Sequence, residues 1–419
     1  MPDSGRIPLN EGSPRHGCFY TILFIDRQKV GLQPVQPNIN QAAEALPSHH
    51  LTPVAGGKQD ETIASLTGLR IYAALAVFFS HMYHFHYFGL PPVGVLLVSS
   101  LGHLGVSLFY VLSGFVLCLR YHQGFQDKAD IRAFYIARFA RVYPVFLLTA
   151  LLALPIEWFS AFRSQLPMTL GTQATLTHCL LPQTCGRLND VGWSVGIEAS
   201  FYVLFPALLL LVSNSKRLIA GVLLLGLSLW GLQLLGVDSF YGSARFFLNR
   251  VPEFLMGILA GGLYVRQVQP PLLKKMMGNG KALTVMTVSL ACALFLMPLL
   301  TKALGVENYY YLLLMIPSTG LIYLLASAER QKNTLPWLTS GLVVLGGEIS
   351  YSFYLVHNLL LRYIRHGFGV MAHLKTEQMP VWIQIAMAGA TLLLSLLISY
   401  FLYQQVETVW RKKIRAWLG

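Results

Sequence analysis

Long apolar runs separated by short polar segments make up most of this chain from about residue 63 onward. Ten of the runs approach the roughly 20 residues that an α-helix needs to cross a bilayer. No pattern typical of a parallel sheet is visible, so we predict an all-α integral membrane protein with about ten transmembrane helices. The predicted helices are 66–88, 101–119, 142–160, 193–213, 218–236, 246–266, 282–301, 308–326, 342–364 and 381–404.

The composition and the placement of charge agree with this class. Hydrophobic residues make up 54% of the chain and charged residues 12%, about half the charged share of a soluble domain. The net charge is +13, but the basic residues collect in short segments between apolar runs, as orientation signals do. Nucleic-acid binding is therefore not expected. The larger basic share lies on the side of the 120–141 connection, so we predict that this connection and both termini are cytoplasmic. We expect a multi-pass protein of the cytoplasmic (inner) membrane. The 362–375 loop is an exception, because it is basic although the predicted topology places it on the outer side of the membrane.

The chain divides into three parts. Residues 1–62 are rich in Pro, Gln, Asn and His, and we predict a disordered cytoplasmic tail there. Residues 63–410 form the predicted membrane domain, and 411–419 form a basic cytoplasmic tail. No internal repeat suggests the duplicated halves of many transporters. Cys179 and Cys185 share an outside loop, where either a disulfide or two unpaired thiols fits the sequence.

Two ionisable side chains, Arg70 and His81, lie inside the first predicted membrane helix. Such groups are costly in a membrane and tend to mark function. Eleven positions are about three helical turns, so both side chains lie on one face, about 16 Å apart along the axis. A neutral imidazole can take a proton from an attacking hydroxyl, and an arginine can hold an anion. We therefore interpret His81 as a candidate catalytic group and Arg70 as a candidate anion ligand.

Other histidines lie near predicted helix ends. His84, His86 and His103 are near outer ends, and we interpret them as interfacial groups bonded to water or backbone. No acidic residue accompanies them, and no cysteine spacing resembles a zinc site, so we expect no metal.

A polar stripe follows Trp193 on the fourth predicted helix. Ser194, Glu198 and Tyr202 are spaced at i, i+4 and i+8 and therefore share a face. The segment 192–196 also matches the G-x-S-x-G nucleophile elbow, but that motif needs a preceding strand, and we reject the hydrolase interpretation. For Glu198, a structural ion pair and membership of a catalytic site both remain open.

Two further helices carry polar patterns. Ser350, Tyr354 and His357 share one face of the ninth predicted helix. Arg138 and Arg141 are one turn apart, just before a helix predicted to open near Pro144, a favoured first-turn residue. The positive-inside pattern of membrane proteins is enough to explain two arginines at this position. A site that binds phosphate is the more specific alternative.

A buried pair is predicted on the sixth helix. Arg250 and Glu253 are three residues apart beside Pro252, and Gly257 and Gly261 on the same helix permit close helix packing. We expect an intramembrane ion pair at a proline kink.

Five motifs, in order across residues 63–415, resemble the acyltransferase 3 family, the polytopic O-acyltransferases of surface and exported carbohydrates. One departure is that Glu407-Thr408-Val409 lacks the proline that often closes the family pattern. The motifs are Leu69, Arg70 and His81; Leu108 to Phe115; Arg138, Arg141, Tyr143 and Pro144; Trp193, Ser194, Glu198, Phe201 and Tyr202; and Ser350, Tyr351, Ser352, Tyr354, Leu355 and His357.

The resemblance implies an acyl-CoA donor, with acetyl-CoA expected, and a carbohydrate hydroxyl as acceptor. His81 is then the expected base, His357 is expected either to assist it or to bind the acceptor, and Glu198 is expected to fix the tautomer of a histidine. The implied partners are the lipid bilayer, the carbohydrate and polysaccharide-assembly proteins. Donor ligands would be Arg70, Arg138, Arg141 and Tyr143, and substrate contacts would be Ser113, Trp193, Tyr202, Ser350 and Tyr354.

A competing function class is a transporter or export subunit for the same polysaccharide, with the buried polar groups lining a path. The scarcity of intramembrane acids and the lack of a visible inverted repeat weigh against it.

Overall fold

The architecture was obtained as a computed structural model that describes residues 62–158, 163–211, 215–234, 243, 245–269, 271–306, 310–371 and 379–418. The predicted tail 1–62 lies outside the described residues except for its last residue. All regular secondary structure in the described residues is helical. The first helices are α1 (Ala64–Ser80), α2 (Pro92–Tyr121), α3 (Lys128–Leu152), α4 (Leu154–Trp158), α5 (Leu166–Ala174), α6 (Trp193–Leu211), α7 (Ser215–Leu234) and α8 (Phe247–Val265). The remaining ones are α9 (Pro271–Met277), α10 (Gly280–Ala303), α11 (Tyr310–Arg330), α12 (Pro336–Thr339), α13 (Gly341–Met371), α14 (Val381–Leu402) and α15 (Thr408–Leu418).

Each of the ten predicted membrane helices has a helix at its position. Six helical segments among the described residues are long and apolar enough to cross a membrane: Pro92–Tyr121, Lys128–Leu152, Asp190–Leu210, Gly280–Ala303, Leu312–Arg330 and Val381–Leu418. Helix α1, with 17 residues, is shorter than these. The all-helical membrane class is confirmed for the described residues, and the number of crossings and the orientation stay predictions.

The third predicted helix had the wrong start. Helix α3 begins at Lys128, where the Asp127 side chain accepts a hydrogen bond of 2.8 Å from the Asp130 backbone N–H. Arg138 and Arg141 therefore lie within α3, and Pro144 is inside the helix rather than in its first turn. The predicted start of this helix is wrong because Arg138 and Arg141 are charged, which favours a connection, whereas in the structure they line a cavity inside the protein.

The first predicted helix also ends early, at Ser80. Residues His81–Gly89 form a 3₁₀ segment. Three consecutive residues, His86, Tyr87 and Phe88, have φ of 48°, 50° and 57°. This left-handed stretch ends the right-handed part of the 3₁₀ segment and leads the chain into α2.

Helices α2 and α8 approach each other at glycines. A Cβ on Gly114 would lie 2.1 Å from the Phe254 carbonyl oxygen, and one on Gly257 would lie 2.0 Å from the Val111 carbonyl oxygen. Gly261 faces Cys118 in the same way. The predicted close packing is therefore confirmed, since any side chain at these positions would separate the two backbones.

The predicted ion pair is present in this interface. Arg250 Nε lies 3.0 Å from Glu253 Oε2, and both side chains are fully buried. Ser107 of α2 donates a 2.5 Å hydrogen bond to Glu253 Oε1. The pair therefore joins α8 to α2 as well as bridging the turn beside Pro252.

Helix α1 is fixed at its start by another helix. Its N-cap residue, Ile63, offers no side-chain acceptor. Instead, the two carboxylate oxygens of Glu329 on α11 accept hydrogen bonds of 2.8 Å from the backbone N–H groups of Ala64 and Ser65. A carboxylate at a helix N-terminus also interacts favourably with the helix dipole. The position of α1, which carries Arg70, therefore depends on α11.

Two contacts join residues that the predicted topology places on the same side of the membrane. On the predicted outer side, Cys179 and Cys185 form a disulfide, so that alternative is the one observed. At the predicted cytoplasmic side, Arg132 donates a 2.7 Å hydrogen bond to the Leu418 carbonyl. Residues 411–418, expected as a tail, are part of helix α15, which packs on α3.

Candidate active site

A cavity lies between α1, α2, α3, α6 and α13. It provides about 80 Å³ of space for water-sized molecules. Eight of the twelve residues assigned to the site from the sequence line it, although they come from five separate helices. They are Arg70, Ser113, Arg138, Arg141, Glu198, Tyr202, Ser350 and Tyr354. The other four, His81, His357, Tyr143 and Trp193, do not line it.

Three arginines converge on one part of the cavity. Arg70 is the seventh residue of α1, and Arg138 and Arg141 project from α3. The charges of Arg70 and Arg141 act on each other and on Glu198. Arg138 is buried, with its guanidinium 5.9 Å from the ring centroids of both Phe134 and Tyr202.

Among the described residues, none of the three arginines forms an ion pair with a carboxylate. Arg138 also has a buried Nε with no hydrogen-bond partner there. Buried guanidinium groups are costly unless a counter-charge satisfies them. This part of the cavity is therefore suited to an anion with several oxygen atoms, such as a phosphate, which arginine binds in a forked geometry.

Glu198 is held by hydroxyl groups. Its Oε1 accepts a hydrogen bond from the Tyr202 hydroxyl, one helical turn later, and another of 3.3 Å from Ser113 Oγ. No histidine among the described residues bonds to it, and it forms no ion pair there. The role of fixing a histidine tautomer is therefore corrected, because Glu198 faces the arginine part of the cavity and the histidines take backbone partners instead.

The two predicted polar stripes meet across the cavity. Ser194 Oγ of α6 lies 2.8 Å from the Tyr354 hydroxyl of α13, in a hydrogen bond. The Tyr110 hydroxyl donates to the Ser194 carbonyl at 3.3 Å, and Ser350 Oγ donates to the Gly347 carbonyl at 2.7 Å. Tyr354 and Ser194 are thus fixed at the cavity wall by a contact between helices.

His81 and His357 form a pair next to this wall. His81 Nδ1 lies 2.8 Å from the Val77 carbonyl oxygen, and His357 Nδ1 lies 3.1 Å from the Phe353 carbonyl oxygen. A carbonyl can only accept, so each Nδ1 carries the proton and each Nε2 holds a free lone pair. His357 Nε2 lies 3.5 Å from His81 Nδ1. His357 is fully buried and His81 is half-buried.

The histidine pair is adjacent to the cavity without lining it. The ring centroids of Tyr354 and His357 are 6.0 Å apart, and Tyr354 lines the cavity. Arg70 and His81 are separated by eleven residues of the first helix, about 16 Å along its axis. The candidate site therefore has an arginine part and a histidine part, with Ser194 and Tyr354 between them.

Two of the assigned residues lie elsewhere. Tyr143 stacks on Phe139 with ring centroids 4.3 Å apart. Trp193 lies with its ring 5.9 Å from the Arg245 guanidinium. Conversely, Tyr110 and Tyr351 line the cavity without having been assigned to the site from the sequence. Both lie inside the quoted motifs, which is the signal that could have identified them.

The interfacial interpretation is wrong for one of the three further histidines. His84 is buried, and its Nε2 lies 3.2 Å from Asn358 Oδ1. His86 and His103 are exposed. Within the described residues, no three His, Cys, Asp or Glu side chains are grouped so that they could hold a metal ion.

Comparisons with known proteins agree on one activity class. The family model described as an acyltransferase domain, acyltransferase 3, matches residues 63–400. Acyltransferase MdmB of Streptomyces mycarofaciens is 30% identical over 331 residues, which cover 72% of this chain and 79% of that protein.

Two further relatives match this chain over different lengths. A putative O-acetyltransferase of Staphylococcus aureus (strain COL), SACOL0978, is 21% identical over 383 residues, which cover 85% of this chain. The match spans only 58% of that protein's length. Protein 2 in the picA locus of Rhizobium radiobacter is 36% identical over 100 residues, or 24% of this chain and 47% of that protein. No solved structure matches the chain.

Proposed function

Because this chain belongs to the acyltransferase 3 family, we propose that it transfers an acetyl group from acetyl-CoA to a carbohydrate hydroxyl. The acceptor is an exported or cell-surface polysaccharide or its lipid-linked precursor. The observation that carries the proposal is a cavity lined by three arginines without carboxylate partners among the described residues, with a histidine pair next to another part of its wall. One part of the site suits phosphates, and the other suits proton transfer.

The arginine part binds the donor. Coenzyme A carries a diphosphate and a phosphomonoester, and forked guanidinium groups match such oxygen atoms. Arg70, Arg138 and Arg141 supply the positive charge at the end of the cavity that the predicted topology places toward the cytoplasm, where acyl-CoA is found. The thioester then extends along the first helix toward His81.

His81 is the base. Its Nδ1 proton is directed at the Val77 carbonyl, so Nε2 is available to accept the proton of the acceptor hydroxyl. The hydroxyl oxygen attacks the thioester carbonyl carbon, and a tetrahedral oxyanion forms. The carbon–sulfur bond then breaks, and the coenzyme A sulfur leaves with the proton that His81 accepted. The ester and free coenzyme A are the products.

His357 acts on His81 rather than on the substrates. Its Nε2 lone pair lies 3.5 Å from Nδ1 of His81, so the single Nδ1–H is shared between the Val77 carbonyl and His357, and this shared contact strengthens once the His81 ring is protonated. The hydroxyl groups of Tyr354 and Ser194 are hydrogen-bonded to each other at the cavity wall, and the Tyr354 ring lies 6.0 Å from the His357 ring. A positioned hydroxyl there would stabilise the oxyanion.

The acceptor approaches from the opposite end. His81 follows the last residue of α1, and the charges of Asp190 and Arg245 act on it. These two residues form a partly exposed ion pair of 3.1 Å on the predicted outer side. A carbohydrate hydroxyl can therefore reach His81 from outside while the donor phosphates remain at the arginines.

Mass analysis of surface carbohydrate tests the proposal. Cells that lack the gene should retain the polymer but lose its acetyl groups, and expression of the wild-type chain should restore them. Complementation with His81→Ala should restore the protein but not the acetyl groups. Loss of the polymer itself, with unchanged acetylation of the remainder, would instead favour an export subunit.

A further inference from the structure

The last described helix, α15, packs on α3, which carries Arg138 and Arg141 of the cavity. Helix α14 continues through a π-helical turn, Tyr403–Glu407, into α15. The carbonyl of Leu418 accepts a hydrogen bond of 2.7 Å from Arg132 of α3, which holds the end of α15 in place. Lys412 and Lys413 are exposed, whereas Arg411 and Arg415 are only partly exposed. Two arginines of α15 are therefore withdrawn from solvent, and two lysines are not.

Arg411 is fixed by a buried carboxylate. Its guanidinium donates to Glu407 Oε1, and the Glu407 side chain is only 4% exposed. Ser352 of α13 donates a 3.2 Å hydrogen bond to the other oxygen, Oε2. The charge of Arg411 acts on Arg141, which lines the cavity. Glu407 thus holds Arg411 close to the donor site.

Arg415 has no such partner. Its Nε is buried and makes no hydrogen bond within the described part of the chain. Its charge acts on Arg138, Arg120 and Arg411, all of the same sign. A buried N–H group without an acceptor is costly, and like charges add to that cost. Both costs are removed if an anion with several oxygen atoms lies beside Arg415.

Electrostatic interactions link the cavity arginines to the arginines of α15. Five arginines and two glutamates, Glu198 and Glu407, take part, which leaves an excess of three positive charges. A phosphomonoester carries roughly −1.5 to −2 at neutral pH, and a diphosphate diester carries two further negative charges. The five arginines are Arg70, Arg138, Arg141, Arg411 and Arg415.

We propose that Arg415, together with Arg411, forms a second phosphate site that binds the 3′-phosphate of the coenzyme A donor, while the cavity arginines bind its diphosphate. This inference rests on the proposed function and adds specificity to it. It predicts that the protein distinguishes coenzyme A from dephospho-coenzyme A, which keeps the diphosphate but lacks the 3′-phosphate. Glu407 is a positioning residue for Arg411.

Calorimetric binding of these two nucleotides to the purified full-length chain in phosphatidylcholine nanodiscs tests the inference without an acceptor. Wild-type protein should bind coenzyme A at least about tenfold more tightly than dephospho-coenzyme A, as expected for a charge-assisted contact. Arg415→Gln should abolish this preference by weakening coenzyme A binding alone. Arg415→Lys should recover part of it. The matched control is Lys412→Gln, which removes one charge from the exposed face of the same helix and should change neither affinity.

Each other outcome has a defined meaning. Equal wild-type affinity for the two nucleotides would overturn the second phosphate site but leave the proposed donor intact. Failure to bind either nucleotide would overturn the donor and the inference together. If the wild-type preference for coenzyme A survived Arg415→Gln unchanged, the 3′-phosphate would bind elsewhere and the inference would be wrong.

Discussion

The Nε2 atom of His357 lies 3.5 Å from the Nδ1 atom of His81, although the two residues are 276 positions apart in the sequence. Each ring also points its Nδ1 at a backbone carbonyl four residues earlier, so both have the same tautomer. The arrangement leaves Nε2 of His81 free to accept a proton and places a neutral acceptor behind it. His357 is therefore assigned a positioning role and His81 the catalytic one.

Loss of the His357 acceptor should slow the chemical step without changing donor binding. We expect His357→Leu to lower kcat by about 10–100-fold and to leave KM for acetyl-CoA within twofold, because His357 acts through His81. His357→Gln keeps an acceptor atom and should recover part of kcat. Steady-state kinetics of the three proteins measures this. Equal loss in both variants, or a change confined to KM, would contradict the positioning role.

Arg70 should contribute to binding of the donor and not to binding of the acceptor. Arg70→Gln removes one of the three guanidinium groups of the cavity, and we expect KM for acetyl-CoA to rise by about tenfold or more. KM for the carbohydrate acceptor should stay unchanged. Arg163, on the predicted outer side and stacked over Trp158 at 4.1 Å, offers a control, since Arg163→Gln should alter neither value. A larger effect of Arg70→Gln on the acceptor would remove Arg70 from the donor site.

Glu329 should stabilise the start of α1. Its carboxylate satisfies two backbone N–H groups that Ile63 cannot cap. We expect Glu329→Ala to lower the free energy of unfolding by about 1–2 kcal/mol, in the range of lost helix caps. Glu329→Gln retains one acceptor and should cost less. Thermal unfolding of the purified variants gives the comparison, and identical midpoints for Glu329→Ala and wild type would show that α1 does not depend on this cap.

His178 should make the protein less stable in mild acid. Burial lowers the pKa of His178, in the connection before α6, to about 4. Its Nε2 lies 3.0 Å from the Gly192 carbonyl, and its ring stacks on Phe146. An unfolded histidine has a pKa near 6.5, so the unfolded chain binds more protons between these values and stability falls as the pH drops below about 6.5.

The expected loss from His178 is about 2 kcal/mol between pH 7.5 and pH 5. His178→Gln keeps a donor for the Gly192 carbonyl but cannot titrate, so its unfolding midpoint should fall less over this range. Midpoints measured for both proteins at the two pH values decide the point. Parallel decreases would assign the acid sensitivity to other groups.

Patterns within one helix were predictable, and pairs between helices were not. The spacing of Ser194, Glu198 and Tyr202 fixes their common face, because helical periodicity is a local property. The contact of Ser194 with Tyr354 depends on how α6 packs on α13, which no spacing reveals. The same holds for His81 and His357, and for the hydroxyl groups that bond Glu198 in place of the expected histidine.

The charged residues of α3 also make its predicted start wrong. The sequence predicts that Arg138 and Arg141 precede the third membrane helix, because arginines in an apolar segment are costly. In the structure they lie inside α3 and face the cavity. The residues that break the hydropathy rule are thus those that form the candidate donor site, as expected where function overrides local preference.

The most direct measurement is the rate at which purified protein transfers labelled acetyl from acetyl-CoA to carbohydrate isolated from cells that lack the gene. We predict that His81→Ala lowers this rate by about 10²–10⁴-fold, the usual contribution of a general base. Coenzyme A binding should remain within twofold of wild type, because the donor phosphates are held at the arginines. Transfer by His81→Ala at the wild-type rate would show that His81 is not the general base.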